Sequence, residues 1–244
     1  MPIFKSAPNN PMPAGISFDE TALPKQMWVV ASDFDGTITK LDVGNEIHKS
    51  VKAQEFVDLQ AAYRRGELPL KELQLKMWQD FPLSQSEFQN RALEFAELRE
   101  GANDFFELCS DLSVPVYVAS CGIEQYISPV LDSLLTPKAR KAIYGLECNR
   151  AEFNETMLNR FIPPQSDAAS PYPLDKGAWI QKIRREKHKE AKIMGIGNGT
   201  SDRSFAGQVD LLAATEALAK WCDAQKLDYL AFENFYEVIS KKPF

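Results

Sequence analysis

The stretch Met27-Trp28-Val29-Val30-Ala31-Ser32-Asp33-Phe34-Asp35-Gly36-Thr37-Ile38-Thr39 decides the fold. Its first six residues are a short run rich in strand formers, after which the chain turns abruptly polar. A continuous apolar run of this length fits a strand buried on both faces, as in a parallel sheet. Asp33 and Asp35 stand two apart, so on extended backbone their carboxylates leave the same face. Two neighbouring carboxylates can divide labour: one stays ionised and attacks, and the other gives a proton to the leaving oxygen. A carboxylate that attacks phosphorus forms an aspartyl-phosphate. Thr37 adds a hydroxyl, and Gly36 lets the backbone turn tightly.

Working outward, two runs of the same kind follow. Val114-Pro115-Val116-Tyr117-Val118-Ala119 ends at Ser120-Cys121-Gly122, and Ala191-Lys192-Ile193-Met194-Gly195-Ile196 ends at Gly197-Asn198-Gly199-Thr200-Ser201-Asp202. A shorter one is Asp210-Leu211-Leu212-Ala213-Ala214. Helical patterns at roughly 102–112, 123–135, 175–187 and 202–208 separate them. Strands alternating with helices predict an α/β fold with a doubly wound, mostly parallel, Rossmann-like sheet. Ligands of such sheets bind at the carboxyl ends of the strands, where all three polar clusters stand.

Each cluster suits phosphate chemistry. The Ser120 hydroxyl and the backbone N–H groups of its loop, with Cys121 and Gly122, can hold phosphate oxygens. Lys176 opens a helix after Pro171-Tyr172-Pro173, and its ammonium can neutralise charge developing during phosphoryl transfer. Asn198 and Asp202 offer oxygen ligands. With only two histidines in the chain, His48 and His188, they favour a hard cation, Mg²⁺. Such an ion offsets repulsion between the carboxylates and an incoming phosphate.

Between Asp42 and Leu98 the strand signal gives way to helical spacing. Ile47, Val51, Phe56 and Leu59 predict one helix, and Leu70, Leu73, Met77 and Trp78 another. Ser84-Gln85-Ser86-Glu87 is a capping box for a third, carrying Phe88, Phe95 and Leu98, with Gly101 as its stop. The expected organisation is a catalytic core over 27–41 and 99–244, with a helical cap over 42–98 that closes on substrate and excludes water. Leu146 to Pro164 reads as a hairpin turning at Asn154-Glu155. Residues 1–26, with five prolines, read as an irregular N-terminal arm.

Composition narrows the partners. A net charge of −6 over 244 residues argues against nucleic acid, which wants a basic face. The basic run from Lys182 to Lys189 reads as a solvated helix surface. Cys109, Cys121, Cys148 and Cys222 form no Cys-x-x-Cys pair and read as reduced thiols of a cytoplasmic protein. Residues 1–26 do not read as a secretory signal, and no run is long and apolar enough to be expected to span a bilayer. The expected partner is a small-molecule phosphate ester, with no nucleic acid and no membrane. Monomer and homodimer both stay open.

The four clusters, in this order, resemble the haloacid dehalogenase superfamily of phosphatases over about residues 27–215. The resemblance implies that Asp33 is the nucleophile and Asp35 the general acid/base. It makes Thr37, Ser120 and Lys176 phosphate contacts. It places Mg²⁺ on Asp33, on the carbonyl of Asp35, and on Asn198 and Asp202. The helical insertion resembles the cap of the phosphoserine phosphatase-like subgroup, whose substrate-binding cap glutamate is replaced here by Asp42. A narrower resemblance is to the methionine-salvage phosphatases acting on 2-hydroxy-3-keto-5-methylthiopentenyl-1-phosphate. It rests on Arg99-Glu100-Gly101, on Glu147-Cys148-Asn149-Arg150-Ala151-Glu152-Phe153 and on Glu233-Asn234-Phe235-Tyr236-Glu237. Two departures stand out. Cys121 takes the place of a common glycine, and Asn198 that of an Asp, which predicts weaker Mg²⁺ affinity. The expected function is a Mg²⁺-dependent phosphatase working through an aspartyl-phosphate, in methionine salvage. The alternatives are a phosphoserine phosphatase-like enzyme and a weakly active phosphate-ligand binding or regulatory protein. A receiver domain is rejected, because its acceptor Asp would not end the first strand ahead of a helical insertion.

Overall fold

The computed structural model describes residues 27–164 and 170–244; the arm expected over 1–26 lies outside the described residues. Seven strands form one sheet: β1 (Trp28–Ser32), β2 (Val116–Ile123), β3 (Ile143–Phe153), β4 (Leu158–Ile162), β5 (Lys192–Gly197), β6 (Leu211–Ala214) and β7 (Leu230–Ala231). Their order is β4-β3-β2-β1-β5-β6-β7. Every pairing is parallel except that of β3 with β4. Strands β2 to β4 extend to one side of β1, and β5 to β7 to the other. The order therefore reverses at β1, and the crevice this leaves lies at the carboxyl end that carries Asp33.

The reason β1 is apolar from Trp28 to Ala31 is visible in its packing. Val30 belongs to one buried apolar cluster, while Val29 and Ala31 belong to a second. Successive side chains thus enter opposite layers, as the two-residue strand period requires. The first layer is covered by α5 (Ala102–Asp111) and α6 (Glu124–Leu134), through Phe105, Phe106, Tyr126, Ile127 and Val130. The second is covered by α8 (Lys176–Glu186), through Trp179, Ile180 and Ile183, and by α10 (Glu216–Gln225), through Leu218 and Cys222. Three short helices, α7 (Pro137–Lys141), α9 (Arg203–Ala206) and α11 (Phe235–Ser240), complete the core.

The segment after β1 folds as α1 (Val43–Val51), α2 (Ala53–Arg64), α3 (Leu70–Trp78) and α4 (Gln85–Phe95). The chain leaves and returns at one place: Lys40 N donates to Glu97 O (2.8 Å), Arg99 N donates to Ile38 O (2.8 Å), and Thr39 bridges Leu98. Val43, Ile47, Met77, Trp78 and Phe88 join the apolar cluster of the first layer.

Several details differ from expectation. The single helix expected through Ile47 and Leu59 is two, because Lys52 leaves helical backbone (φ −127°, ψ 57°). Apolar spacing continues across the break, and spacing alone cannot register one non-helical residue. Ser84 does open α4 with a capping box. That helix already ends at Phe95, however, so Gly101 does not stop it. Gly101 instead precedes α5 at φ +78°, where a Cβ would come within 2.9 Å of Tyr236 N. Both the backbone angle and the close approach require glycine. Strand β2 runs past Ser120 to Ile123, with its pairing to β3 shifted between Ala119 and Ile123. The hairpin forms as expected, and Asn154 Oδ1 accepts from Thr156 N and Met157 N, both at 2.9 Å. Its first arm also pairs parallel with β2, a connection its half-exposed pattern concealed. The two-residue β7 is too short to show a period. All four cysteines are free and buried. No helix of the described residues is long and apolar enough to cross a membrane.

Candidate active site

The loop after β1 is built around Asp33. Its N–H donates to Ile196 O (2.9 Å), which pins it between the central strands. Thr37 N and Thr39 N both donate to Phe34 O (3.1 Å), closing the turn. Gly36 lies at φ +72°, and a Cβ there would collide with the Asn198 side chain. Arg99 clamps the loop from behind. Its guanidinium donates to Gly36 O (2.5 Å), Thr37 O (3.0 Å) and Glu233 O (2.9 Å). Two of the segments that carried the narrower resemblance thus meet at the first motif.

A buried ion triad lies under the loop. Lys176 Nζ stands 2.6 Å from Asp33 Oδ1 and 2.6 Å from Asp202 Oδ1, with Lys176 and Asp202 both at 0% exposure. Burial works against the ammonium, but Asp202 and Asp33 outweigh it and raise its pKa well above the ordinary lysine range. Burial, then the Asp202 charge, pushes Asp33 up to about 7 against the pull of Lys176. The other Asp33 oxygen accepts from Thr37 Oγ1 (3.0 Å). Asp202 Oδ2 accepts from Asn198 N (2.9 Å) and Gly199 N (2.8 Å), so this residue ties the last loop to the lysine.

Asp35 is held differently. Oδ1 accepts from Val43 N (3.0 Å), while Oδ2 accepts from Tyr126 Oη (2.5 Å) and Ser120 Oγ (3.4 Å). Burial, followed by the Asp42 charge, pushes its pKa up to about 7, so near neutral pH it can both hold and release a proton. Asp42 caps α1, accepting from Asn45 N at 2.7 Å. Ser120 Oγ accepts from Gly122 N (2.9 Å). Asn149, fully buried on β3, fixes that loop by donating to Cys121 O (2.5 Å) and Gly122 O (3.1 Å). Burial pushes the Cys121 thiol up to about 11, so it stays protonated.

Asn198 Oδ1 accepts from Thr37 Oγ1 (3.3 Å), and Nδ2 donates to Glu216 Oε2 (3.2 Å). These donors suit a hard cation: a carboxylate oxygen, an amide oxygen and a nearby main-chain carbonyl, among carboxylates that a single lysine leaves incompletely neutralised. Among the described residues no three Asp, Glu, His or Cys side chains gather as a metal cluster. Asp202, expected from the sequence as a Mg²⁺ ligand, has both carboxylate oxygens engaged, Oδ1 by Lys176 and Oδ2 by the N–H groups of Asn198 and Gly199.

A cavity of about 180 Å³ opens over these groups. Asp33, Asp35, Ser120, Cys121, Gly122 and Asn198 form its floor. Asp42 stands at its side, and Tyr63, Leu70, Leu73, Gln74, Met77 and Trp78 form its roof. Thr37, Lys176 and Asp202 lie behind the wall. Tyr63 Oη and Thr200 Oγ1, 2.6 Å apart, join roof to floor. Sequence reasoning missed Tyr126 and Glu216, and valued Arg99 and Asn149 only as parts of a resemblance. None of them belongs to a local motif. Tyr126 reads as an ordinary apolar position of a helix.

The chain is similar to known proteins over most of its length. The family model for haloacid dehalogenase-like hydrolases matches residues 30–207. A 2-hydroxy-3-keto-5-methylthiopentenyl-1-phosphate phosphatase of Geobacillus thermodenitrificans is 28% identical over 218 residues, covering 88% of this chain and 95% of the relative. One of Bacillus pumilus is 29% identical over 213 residues, covering 86% and 88%. Among solved structures, a phosphoserine phosphatase with a phospho-aspartyl intermediate analogue superposes with a TM-score of 0.67 at 17% identity, covering 89% of this chain and 99% of the other. Cytosolic 5′-nucleotidase IIIB bound to cytidine superposes with a TM-score of 0.55 at 20% identity, covering 84% and 79%. The chain therefore belongs to the haloacid dehalogenase-like hydrolase family.

Proposed function

We propose that this chain hydrolyses a small phosphate monoester with a neutral, apolar tail, by Mg²⁺-dependent transfer of the phosphoryl group to Asp33. The observation that carries the reading is the pairing of Asp33, held by Lys176 and Thr37, with Asp35, held by Tyr126 and Val43. An Asp33 carboxylate oxygen attacks phosphorus, and the ester P–O bond breaks. Asp35 gives its proton to the departing alkoxide. Asp35 then takes a proton from a water that attacks the aspartyl-phosphate, releasing phosphate and restoring Asp33. Ser120 and the Cys121-Gly122 loop hold the phosphoryl oxygens, while Thr37 and Lys176, behind the wall, orient Asp33 and offset its charge. Asp33, the Asp35 carbonyl and Asn198 would hold Mg²⁺, with Asp202 securing their loop. The ion supplies charge neutralisation at the transferring group.

Residues 42–98 serve as a cap in this reading, since their helices roof the cavity and enter through one neck. The roof also favours a substrate class. Among the described residues, none that line the cavity is lysine or arginine, while Asp35 and Asp42 are both acidic. A substrate carboxylate such as that of phosphoserine would have no cation there. Leu70, Leu73, Met77 and Trp78 instead suit a hydrocarbon or thioether tail. That supports the methylthiopentenyl phosphate on which the relatives act by name. A phosphate-ester panel tests this: the methylthiopentenyl compound should exceed phosphoserine in kcat/KM by at least about 100-fold, the cost of one unpaired buried charge. Equal or reversed values would contradict the substrate class, and hydrolysis that survives Asp33→Asn would contradict the nucleophile.

A further inference from the structure

Asn198 differs from a carboxylate in having two chemically opposite ends. Its oxygen can ligate a cation, and its NH₂ group repels one. Whichever end faces Asp33 therefore decides whether the residue helps or harms the site. One contact sets that choice: Glu216, an acceptor only, receives a hydrogen bond from Nδ2 (3.2 Å). Thr37 Oγ1 lies 3.3 Å from Oδ1, but its one proton also reaches Asp33 Oδ2 (3.0 Å), so the hydroxyl accommodates either end of the amide. Turning the amide over would press Oδ1 against the Glu216 carboxylate and move the NH₂ group to the side of Thr37 and the Asp33 carboxylate that Thr37 touches.

Glu216 is itself held. Arg99 Nη2 donates to its other oxygen (3.0 Å), and the same guanidinium grips the carbonyls of Gly36 and Thr37. One buried cation thus fixes the nucleophile loop and the partner of the amide together. The backbone agrees. Thr215 N donates to Gly197 O (3.1 Å) and Leu218 N to Asn198 O (2.8 Å), docking the start of α10 against the Asn198 loop. Glu216 sits there at φ +50°, a conformation that a non-glycine residue keeps only when its surroundings impose it.

The geometry points to Glu216 as a positioning residue of the metal site: it locks the Asn198 carboxamide with Oδ1 toward Asp33, and Arg99 holds it in place. This rests on the metal reading above. It also gives Asn198, the uncharged member of the set, a carboxylate one bond network away.

The test is Mn²⁺ affinity, measured by electron paramagnetic resonance on the full chain and on the variants E216A, E216Q, N198D and N198D/E216A. E216A should weaken Mn²⁺ binding about tenfold, the low end for loss of an outer partner of a ligand. E216Q keeps an acceptor for Nδ2, so it should lose clearly less, and its conserved volume keeps the test open should E216A fold poorly. In the N198D background the ligand has no wrong face and Glu216 only repels it, so E216A should leave affinity unchanged or raise it. Unchanged affinity in E216A, an equal loss in E216Q, or the same loss in both backgrounds would overturn the assignment. Absence of Mn²⁺ binding in the unaltered chain would overturn the metal reading with it. Binding there that ignores Glu216 would overturn only this inference.

Discussion

The floor and the roof of the cavity are built on different principles. The floor is held by charge and hydrogen bonds: the Lys176 triad, the Arg99 clamp and the Tyr126–Asp35 bond all converge within a few residues of Asp33. The roof is held by apolar burial, with an aromatic group of His48, Phe56, Trp78, Phe81 and Phe88 and the Tyr63–Thr200 contact to the floor. Directional bonds fix atoms to fractions of an ångström, which phosphoryl transfer needs. Non-directional burial holds a surface together while leaving its inner face free to suit a substrate tail.

If that contrast is right, the largest effect comes from breaking the triad. Lys176→Met strands two buried carboxylates, so it should cost about 3–5 kcal/mol of stability and abolish turnover, as read by urea unfolding and steady-state assay. A folded, active variant would show that the floor does not depend on charge. Next comes Tyr126→Phe, which removes the hydroxyl from Asp35 with little change of shape. Turnover of an alkyl phosphate should fall about 10- to 100-fold, in line with a hydrogen bond to a charged group. Turnover of p-nitrophenyl phosphate, whose leaving group needs no proton, should fall much less. Equal losses would reduce Tyr126 to a packing role.

Breaking the roof's tie to the floor should matter less. Tyr63→Phe removes a single hydrogen bond worth about 1 kcal/mol, so KM should rise several-fold with kcat nearly unchanged. A fall in kcat alone would place Tyr63 with the floor. The smallest effect concerns His48, at 0% exposure in the roof. Burial, the largest influence on it, lowers its pKa. Falling pH therefore protonates the unfolded chain first, so His48's contribution to stability is full above about pH 6.5 and declines below it. The loss is at most about 2 kcal/mol between pH 6.5 and 5. His48→Phe should flatten that acid limb in thermal melts, and an unaltered slope would assign it to other groups.

The two regions were also unequally legible. Asp33, Asp35, Lys176 and Asn198 could be picked out as candidates because each follows or opens an element whose apolar pattern is plain, Ser120 because it closes an apolar run inside β2, and all of them because strand ends converge in a doubly wound sheet. The residues that hold them were not legible. Arg99 acts through carbonyls 62 and 63 positions away, and Glu216 through Asn198, and no local period encodes such bonds. In the roof, spacing found the helices but not the break at Lys52, because the apolar face continues across it. Gly101 looked like a helix stop, since a glycine required by a contact with Tyr236 is the same letter as one required by a cap.

The most direct test of the account is the covalent intermediate itself. The Asp35→Asn variant should still accept a phosphoryl group from an activated ester such as p-nitrophenyl phosphate, but hydrolyse the product slowly. Rapid quench followed by peptide mass spectrometry should then find one phosphoryl group on the peptide bearing Asp33, and none when Asp33→Asn is added. Phosphate on another residue, or turnover by the unaltered chain with no covalent phosphate at Asp33, would contradict it.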